Sequence, residues 1–471
     1  MRKTKIICTL GPCTDNINLL KRMIKAGMNV ARLNFSHDTY ENHQKRIDLV
    51  KQVREELNAP LALMLDTKGP EIRIKTFENG KVELFENNEF ILTSKDIIGN
   101  NNAVSITYPR LKDSLKISDK LMLNDGLIEL EVKAITKEDI ICKVIIGGVL
   151  SDRKSLNIPN VAIDMPYLSD IDKKDILFGI KNNVDFIAAS FVRSKEDTEL
   201  LRDFINKNGG ADIDIISKIE NRQGVNNIEE IIKVSDGIMI ARGDMGVEIP
   251  FVELPAIQKN IIKSCYRSGK RVITATQMLE SMITNPAPTR AEISDIANAV
   301  FDGTSATMLS GETSIGKYPV NAIKVMADTA LEAEKNINYK KRFLEFEPVI
   351  NTISDAVSHA TCSAAHDLNA KAIIVVTQSG KTARMISRFR PNVPIIAATT
   401  SKKAYNKLAI NWGITPCMAK LQENTDKLFE HAIECAKNTG FVKSGDLCAL
   451  TAGVPVGISG NTNILKIVNI D

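Results

Sequence analysis

Eight short apolar runs recur along the chain, and all but the third are followed by a segment with helical spacing. They span Lys5 to Leu10, Asn29 to Leu33, Leu61 to Leu65, Val184 to Ala189, Asp214 to Ser217, Gly237 to Ile240, Arg271 to Ala275 and Ala306 to Leu309. A strand buried on both faces reads as an unbroken apolar run, and eight of them alternating with helices predict an α/β fold closed as a (β/α)8 barrel. The helices carry their own signals. Thr289 and Glu292 have capping-box spacing, and Asp38 with Glu41 predicts a cap for the helix over 39–57. After the third run the pattern changes to period two, as in Val82-Glu83-Leu84-Phe85 and Leu127 to Val132, with turn residues Asn79-Gly80, Asn124-Asp125-Gly126 and Gly147-Gly148 between. This predicts a small all-β domain over 70–166, inserted in the barrel (1–69 and 167–340) and placed to close over its mouth. Beyond the charged connector Tyr339-Lys340-Lys341-Arg342, four further strand-like runs separated by helical ones predict an open doubly wound α/β domain over 341–471.

The stretch from Ile213 to Asp244 reads as strand, helix, strand, and each apolar run ends in charge: Lys218 and Glu220 after the first, Arg242 and Asp244 after the second. In parallel sheets ligands bind at the carboxyl ends of the strands. Any one of these residues alone reads as a salt-bridged strand end. One lysine and two carboxylates gathered there read as a site for a metal and an anion, because unpaired burial would cost several kcal/mol.

The other strand ends extend the pattern. The second delivers Arg32, Asn34, Ser36 and His37, the third Asp66, Thr67 and Lys68 with Glu71 and Arg73 beyond, the seventh Thr276, and the eighth Ser310 and Glu312. Glu220 and Asp244 suit a hard divalent ion that keeps positions open for substrate oxygens. Arginines and a lysine around that ion suit a phosphoryl group in transfer. Neutral oxygens from Asn34, Ser36 and Thr67, with Asp66, suit a larger monovalent cation. The chemistry expected is metal-assisted phosphoryl transfer, or enolate chemistry, on a small anionic substrate.

Composition narrows the partners. A net charge of +4 over 471 residues gives no reason to invoke nucleic acid or a membrane surface, and no apolar run approaches spanning length. The start passes directly from Met1-Arg2-Lys3-Thr4-Lys5 into a strand, which predicts a cytoplasmic protein. Eight scattered cysteines without a Cys-x-x-Cys pair read as reduced thiols.

The segments TKIICTLGP, ARLNFSH, LDTKGPEIR, SKIEN, IARGDMGVEIP, ATQMLESM, PTRAE and MLSGET, in this order and spacing, resemble pyruvate kinase over essentially the whole chain. The resemblance implies transfer of the phosphoryl group of phosphoenolpyruvate to ADP. It implies Mg2+ on Glu220 and Asp244, with the backbone around Gly243 and the Thr276 side chain on the substrate carboxylate. Lys218 would stabilise the transferring group and the enolate, and Arg32 would contact the phosphoryl group. Arg73, Lys154 and His37 would meet the nucleotide, and His37 reads equally as a structural partner. Asn34, Ser36, Asp66 and Thr67 would bind K+, and Glu71 stands where K+-independent members carry Lys. Thr276 or Ser310 would act through water in protonating the enolate. Arg242 reads as a structural ion-pairing residue.

In the C-terminal region Thr377-Gln378-Ser379-Gly380-Lys381-Thr382 follows a strand and opens a helix, which presents N–H groups and hydroxyls to phosphate. By resemblance, Thr377, Ser379, Gly380, Lys381 and Thr382 form a pocket for an activating sugar phosphate, facing a loop over 453–462, and the assembly is a homotetramer. Asp38, Ser305 and Ser314-Ile315 depart from the usual pattern, none at a metal or phosphate position, and the chain to Asp471 is expected to lack the extra C-terminal domain of some bacterial members. Two rival readings remain: a barrel aldolase using Lys218 as a Schiff base or Glu220 and Asp244 to hold a metal enolate, and a catalytically silent sugar-phosphate sensor.

Overall fold

In the computed structural model, which describes residues 1–161, 163–346, 350–454 and 462–471, the eight apolar runs close into a parallel barrel. Its strands are Lys5–Thr9, Val30–Asn34, Ala62–Asp66, Phe186–Ala189, Asp214–Ile219, Gly237–Ala241, Arg271–Ala275 and Ala306–Leu309. Each pairs with the next, and the eighth pairs with the first. Asn34 alone among their residues is not buried, because the inner face is packed and the outer face is covered by helices. Val30, Met64, Phe186, Ile216, Met239 and Ile273 fill the interior. Ile410 joins that cluster from the C-terminal region and plugs the barrel's base.

The predicted capping box of Thr289 and Glu292 forms at the start of the helix Arg290–Asp302. The cap expected from Asp38 is corrected by one residue. Thr39 is the N-cap of the helix Tyr40–Leu57, its hydroxyl accepting from Asn42 N. Asp38 has φ +75° and instead accepts from Arg46 Nη1 at 2.6 Å and Asn42 Nδ2 at 2.5 Å. A residue in the left-handed region lacks the extended backbone that an N-cap needs.

After the third barrel strand the chain leaves to build a six-stranded sheet in the order Leu156–Asn157, Lys120–Leu123, Ile128–Ile135, Asp139–Ile146, Glu89–Thr93, Ala103–Ser105, beside the antiparallel pair Lys81–Leu84 and Gly148–Ser151. It has a separate apolar core around Phe90, Leu92, Leu121 and Val132. The chain then returns through the helix Asp170–Lys181, which opens on a Ser169–Asp172 capping box. The insert therefore starts and ends on the carboxyl side of the barrel.

The C-terminal region forms a five-stranded sheet ordered Ile414–Met418, Ile395–Thr399, Ala372–Val376, Leu447–Gly453, Thr462–Asn469, with apolar clusters on both faces. The first four were expected. The fifth is an additional antiparallel edge strand.

Candidate active site

The carboxyl ends of the barrel strands and the returning end of the insert enclose a cleft of about 290 Å3. Arg32, Lys218, Glu220 and Asp244 line its floor, Asn34, Ser36 and His37 one wall, and Arg73, Lys154 and Glu71 come from the side of the insert. Strand geometry explains the gathering, since parallel strands in a closed barrel all point their carboxyl ends to one rim.

On the floor the charges interlock. Lys218 Nζ donates to Ser190 Oγ at 2.7 Å and Asp66 Oδ1 at 3.0 Å, and lies 2.9 Å from Glu220 Oε1. Arg32 Nε donates to Asp66 Oδ2 at 2.7 Å, and its Nη1 to Thr9 Oγ1 at 2.8 Å. Burial alone would lower the Lys218 pKa, but Asp66 and Glu220 outweigh it and raise it. Asp66 is held below the usual carboxylate range because Arg32 and Lys218 outweigh the effect of burial. Glu220 behaves oppositely: burial raises its pKa, Lys218 offsets part of the rise, and Asp244 adds to it. Its Oε2 accepts from Phe191 N at 2.6 Å.

A carboxylate shut away from water beside another carboxylate is in want of a cation. Glu220 and Asp244 face one cleft, and among the described residues no group of three or more His, Cys, Asp and Glu could hold a metal. Two carboxylates with open positions between them fit a hard divalent ion whose remaining ligands are substrate and water. An aldolase reading of Lys218 fares badly. A Schiff base needs a neutral amine, and two carboxylates hold this one as ammonium.

Thr276 and Gly243 meet at the next strand end. Gly243 N donates to Thr276 Oγ1 at 2.8 Å, and Thr276 holds φ +66°. A β-branched residue in that region stores strain, which marks the turn as held by its surroundings. Arg242 pairs with Asp295 at 2.6 Å and donates to Thr276 O, so it buttresses this turn. Ser310 sits at the end of the eighth strand with its hydroxyl buried and unpartnered. Its neighbour Glu312 accepts from Leu279 N and Ser310 N, fixing the turn.

Of the four oxygen donors expected for a monovalent cation, Asn34 and Ser36 line the cleft. Asp66 is engaged by Arg32 and Lys218, and the Thr67 hydroxyl accepts from Ser190 N at 3.2 Å. Arg73 Nε donates to Glu71 Oε2 at 2.8 Å, which places that arginine at the mouth. Burial raises the Glu71 pKa, with Arg73 opposing the rise.

Ser190 is a residue of the site that the sequence pattern does not single out. It follows the fourth strand, donates to Thr67 O at 2.6 Å and accepts from Lys218. Its position directly after the run ending at Ala189 is the one signal the sequence offers for it.

In the C-terminal sheet, Thr377 Oγ1 accepts from Gly380 N at 3.0 Å, and Gly380, at φ +81°, precedes the helix Lys381–Arg388. Thr382 Oγ1 and Thr462 Oγ1 lie 2.7 Å apart. Thr377 and Thr382 are buried, whereas Ser379 and Lys381 are exposed. Most of the loop expected to face them, 455–461, lies outside the described residues.

Family models described as "Pyruvate kinase, barrel domain" and "Pyruvate kinase, alpha/beta domain" match residues 1–323 and 355–468. A pyruvate kinase of Clostridium acetobutylicum is 49% identical over 470 residues, covering 99% of both chains. One of Clostridium perfringens is 46% identical and covers 100% of both. A crystal structure of a pyruvate kinase from Cryptosporidium parvum superposes with a TM-score of 0.95 at 39% identity, covering 100% of this chain and 96% of that one.

Proposed function

The chain belongs to the pyruvate kinase family of phosphotransferases, and from that premise we propose how its barrel mouth moves the phosphoryl group of phosphoenolpyruvate to ADP. The observation that carries the reading is the floor of the cleft, where a buried ammonium stands between Asp66 and Glu220 with Arg32 alongside. Glu220 and Asp244 would hold Mg2+, which when bound would supply positive charge to the substrate's oxygens. The N–H groups around Gly243, with Thr276, seat the substrate carboxylate. Lys218 and Arg32 neutralise the phosphoryl group as it leaves, and Lys218 stabilises the enolate left behind, in a site where little water competes. Arg73, Lys154 and His37 orient the nucleotide phosphates from the wall and the insert. Thr276 or Ser310 relays a proton to the enolate through water.

Asn34, Ser36, Asp66 and Thr67 would hold K+, and Glu71 stands where a lysine would make that ion unnecessary. The insert, residues 70–166, closes over the barrel formed by 1–69 and 167–340. The domain over 341–471 takes a sugar phosphate at Thr377, Ser379, Gly380, Lys381 and Thr382 and assembles the chain as a homotetramer in the cytoplasm. Among the described residues no helix is long and apolar enough to cross a membrane.

The test is pyruvate production from phosphoenolpyruvate and ADP, followed with Mg2+ and K+ added or withheld and with fructose 1,6-bisphosphate titrated. Turnover should require a divalent ion, rise with K+ and respond to the sugar phosphate. Full turnover in K+-free buffer would remove the monovalent site, and an unchanged substrate curve across the titration would remove the effector site.

A further inference from the structure

We propose that the cleft where the barrel's base meets the helix Lys381–Arg388 binds a small monovalent anion of chloride size. Five cationic side chains line it: Lys270 and Arg271 from the barrel, and Arg384, Arg388 and Arg390 from the C-terminal region. Among the described residues no carboxylate does.

Among the described residues the nearby acids do not balance these charges. Asp214 is shared by Arg271 at 2.7 Å, Arg384 at 3.3 Å and Lys407, and Asp355 takes Arg388 at 3.3 Å. Lys270 spends its ammonium on the carbonyls of Lys233 and Ser235. Among the described residues Arg390 has no acid in contact. Its Nη2 donates to Gly303 O at 2.9 Å and Ser305 Oγ at 3.1 Å, both neutral, while Nε and Nη1 are shut off from solvent without a partner. Its guanidinium lies 4.5 Å over the Trp412 ring, a contact that softens the cost of burial without supplying an acceptor. The Tyr266 hydroxyl, on the same cleft, is also buried and unpartnered. Burial pulls the Arg390 guanidinium down to about 10, as expected of a charge lacking its counterion.

Three unsatisfied donors around one gap call for an acceptor. Water would accept bonds there but bring no charge, whereas a halide accepts from all three and neutralises the arginine. The gap, about 20 Å3, is of a size that one small species fills. It lies at the other end of the same helix from the loop Thr377 to Thr382. Because its lining is divided between the barrel and the C-terminal region, a bound anion would hold the two together.

Crystals soaked in sodium bromide and measured at the bromine edge should show an anomalous peak within hydrogen-bonding reach of Arg390 Nε or Nη1 and of Tyr266 Oη. In solution the unfolding midpoint should rise with the logarithm of chloride concentration and stay level in gluconate of equal ionic strength. Tyr266→Phe, which removes only an unpaired hydroxyl, should keep the fold and weaken the halide response, and Arg390→Lys should abolish it. The assignment is overturned by an empty bromide map, by a midpoint that follows ionic strength alone, or by a halide response that survives both substitutions.

Discussion

The ammonium of Lys218 and the hydroxyl of Ser190 stand 2.7 Å apart at the barrel mouth, nitrogen donating and oxygen accepting. Ser190 is pinned in turn, because its own proton goes to Thr67 O at 2.6 Å. The hydroxyl therefore fixes one of three ammonium directions, with the others taken by Asp66 and Glu220. Ser190→Ala removes that anchor and leaves the charge. A hydrogen bond to a charged group is worth about 1.5–3 kcal/mol, so kcat should fall roughly 10- to 100-fold. KM for phosphoenolpyruvate should change less, and Ser190→Thr should recover part of the rate. Equal changes in kcat and KM, or no rescue by threonine, would mean that Ser190 is only a packing residue.

Lys218→Met tests the ammonium itself. It keeps Glu220 and Asp244, so a divalent ion should still bind, as read by Mn2+ titration. Phosphoryl transfer should fall by about 10^3 or more, since a preorganised charge in a dry site has no solvent substitute. Comparable turnover in the variant would end the role given to Lys218.

Much of this arrangement is legible in the amino-acid sequence, and the reasons are physical. A parallel barrel strand is buried on both faces, so Ile238 to Ala241 reads as unbroken apolar sequence and cannot be mistaken for a loop. Charges at such strand ends are costly enough to stand out, which is why Lys218, Glu220 and Asp244 can be picked from the sequence. Ser190 escapes because a hydroxyl after a strand carries no such cost and serines end many strands. The edge strand Thr462–Asn469 escapes for the opposite reason, since only one of its residues is fully buried and their pattern is weak. The Ile410 plug cannot be read at all, because a three-residue turn says nothing about what lies across the fold.

Asp214 opens the fifth barrel strand, which delivers Lys218 at its other end, and it is held well below the usual carboxylate range despite burial, chiefly by Arg271 and then Lys407 and Arg384. A depressed carboxylate stabilises the fold above its unfolded pKa and loses that contribution as pH falls through the folded one. Asp214→Asn at neutral pH would leave Arg271, Arg384 and Lys407 without the carboxylate they share. Breaking a buried pair from one side costs about 3–5 kcal/mol. Urea unfolding should show a midpoint lowered accordingly, with the gap between wild type and variant closing as the pH falls below the usual carboxylate range. A variant as stable as wild type at pH 7 would show that the ion cluster carries no net stability.

Lys5 gives a pH dependence of the same sign in an alkaline window, through a burial penalty that is relieved as pH rises. Its ammonium is buried at the start of the first strand, where Nζ donates to Ile414 O at 2.7 Å across the junction with the C-terminal region. Burial, with Arg2 adding to it and Glu334 opposing, lowers its pKa from 10.5 to about 7. In the unfolded chain the amine stays protonated up to its ordinary pKa, so between about 7 and 10.5 the unfolded state binds the extra proton. Stability then rises with pH through that window, by about 1.4 kcal/mol per unit for one group, and the full penalty applies below it. Buried thiols such as Cys265, pushed up by desolvation, act in the other direction above pH 9, so the clean interval is roughly 7 to 9. Lys5→Met removes this titration and nothing else that titrates. Chemical denaturation across the interval should show wild-type stability climbing relative to the variant as pH rises, and a constant difference would mean that Lys5 keeps its proton in the folded chain.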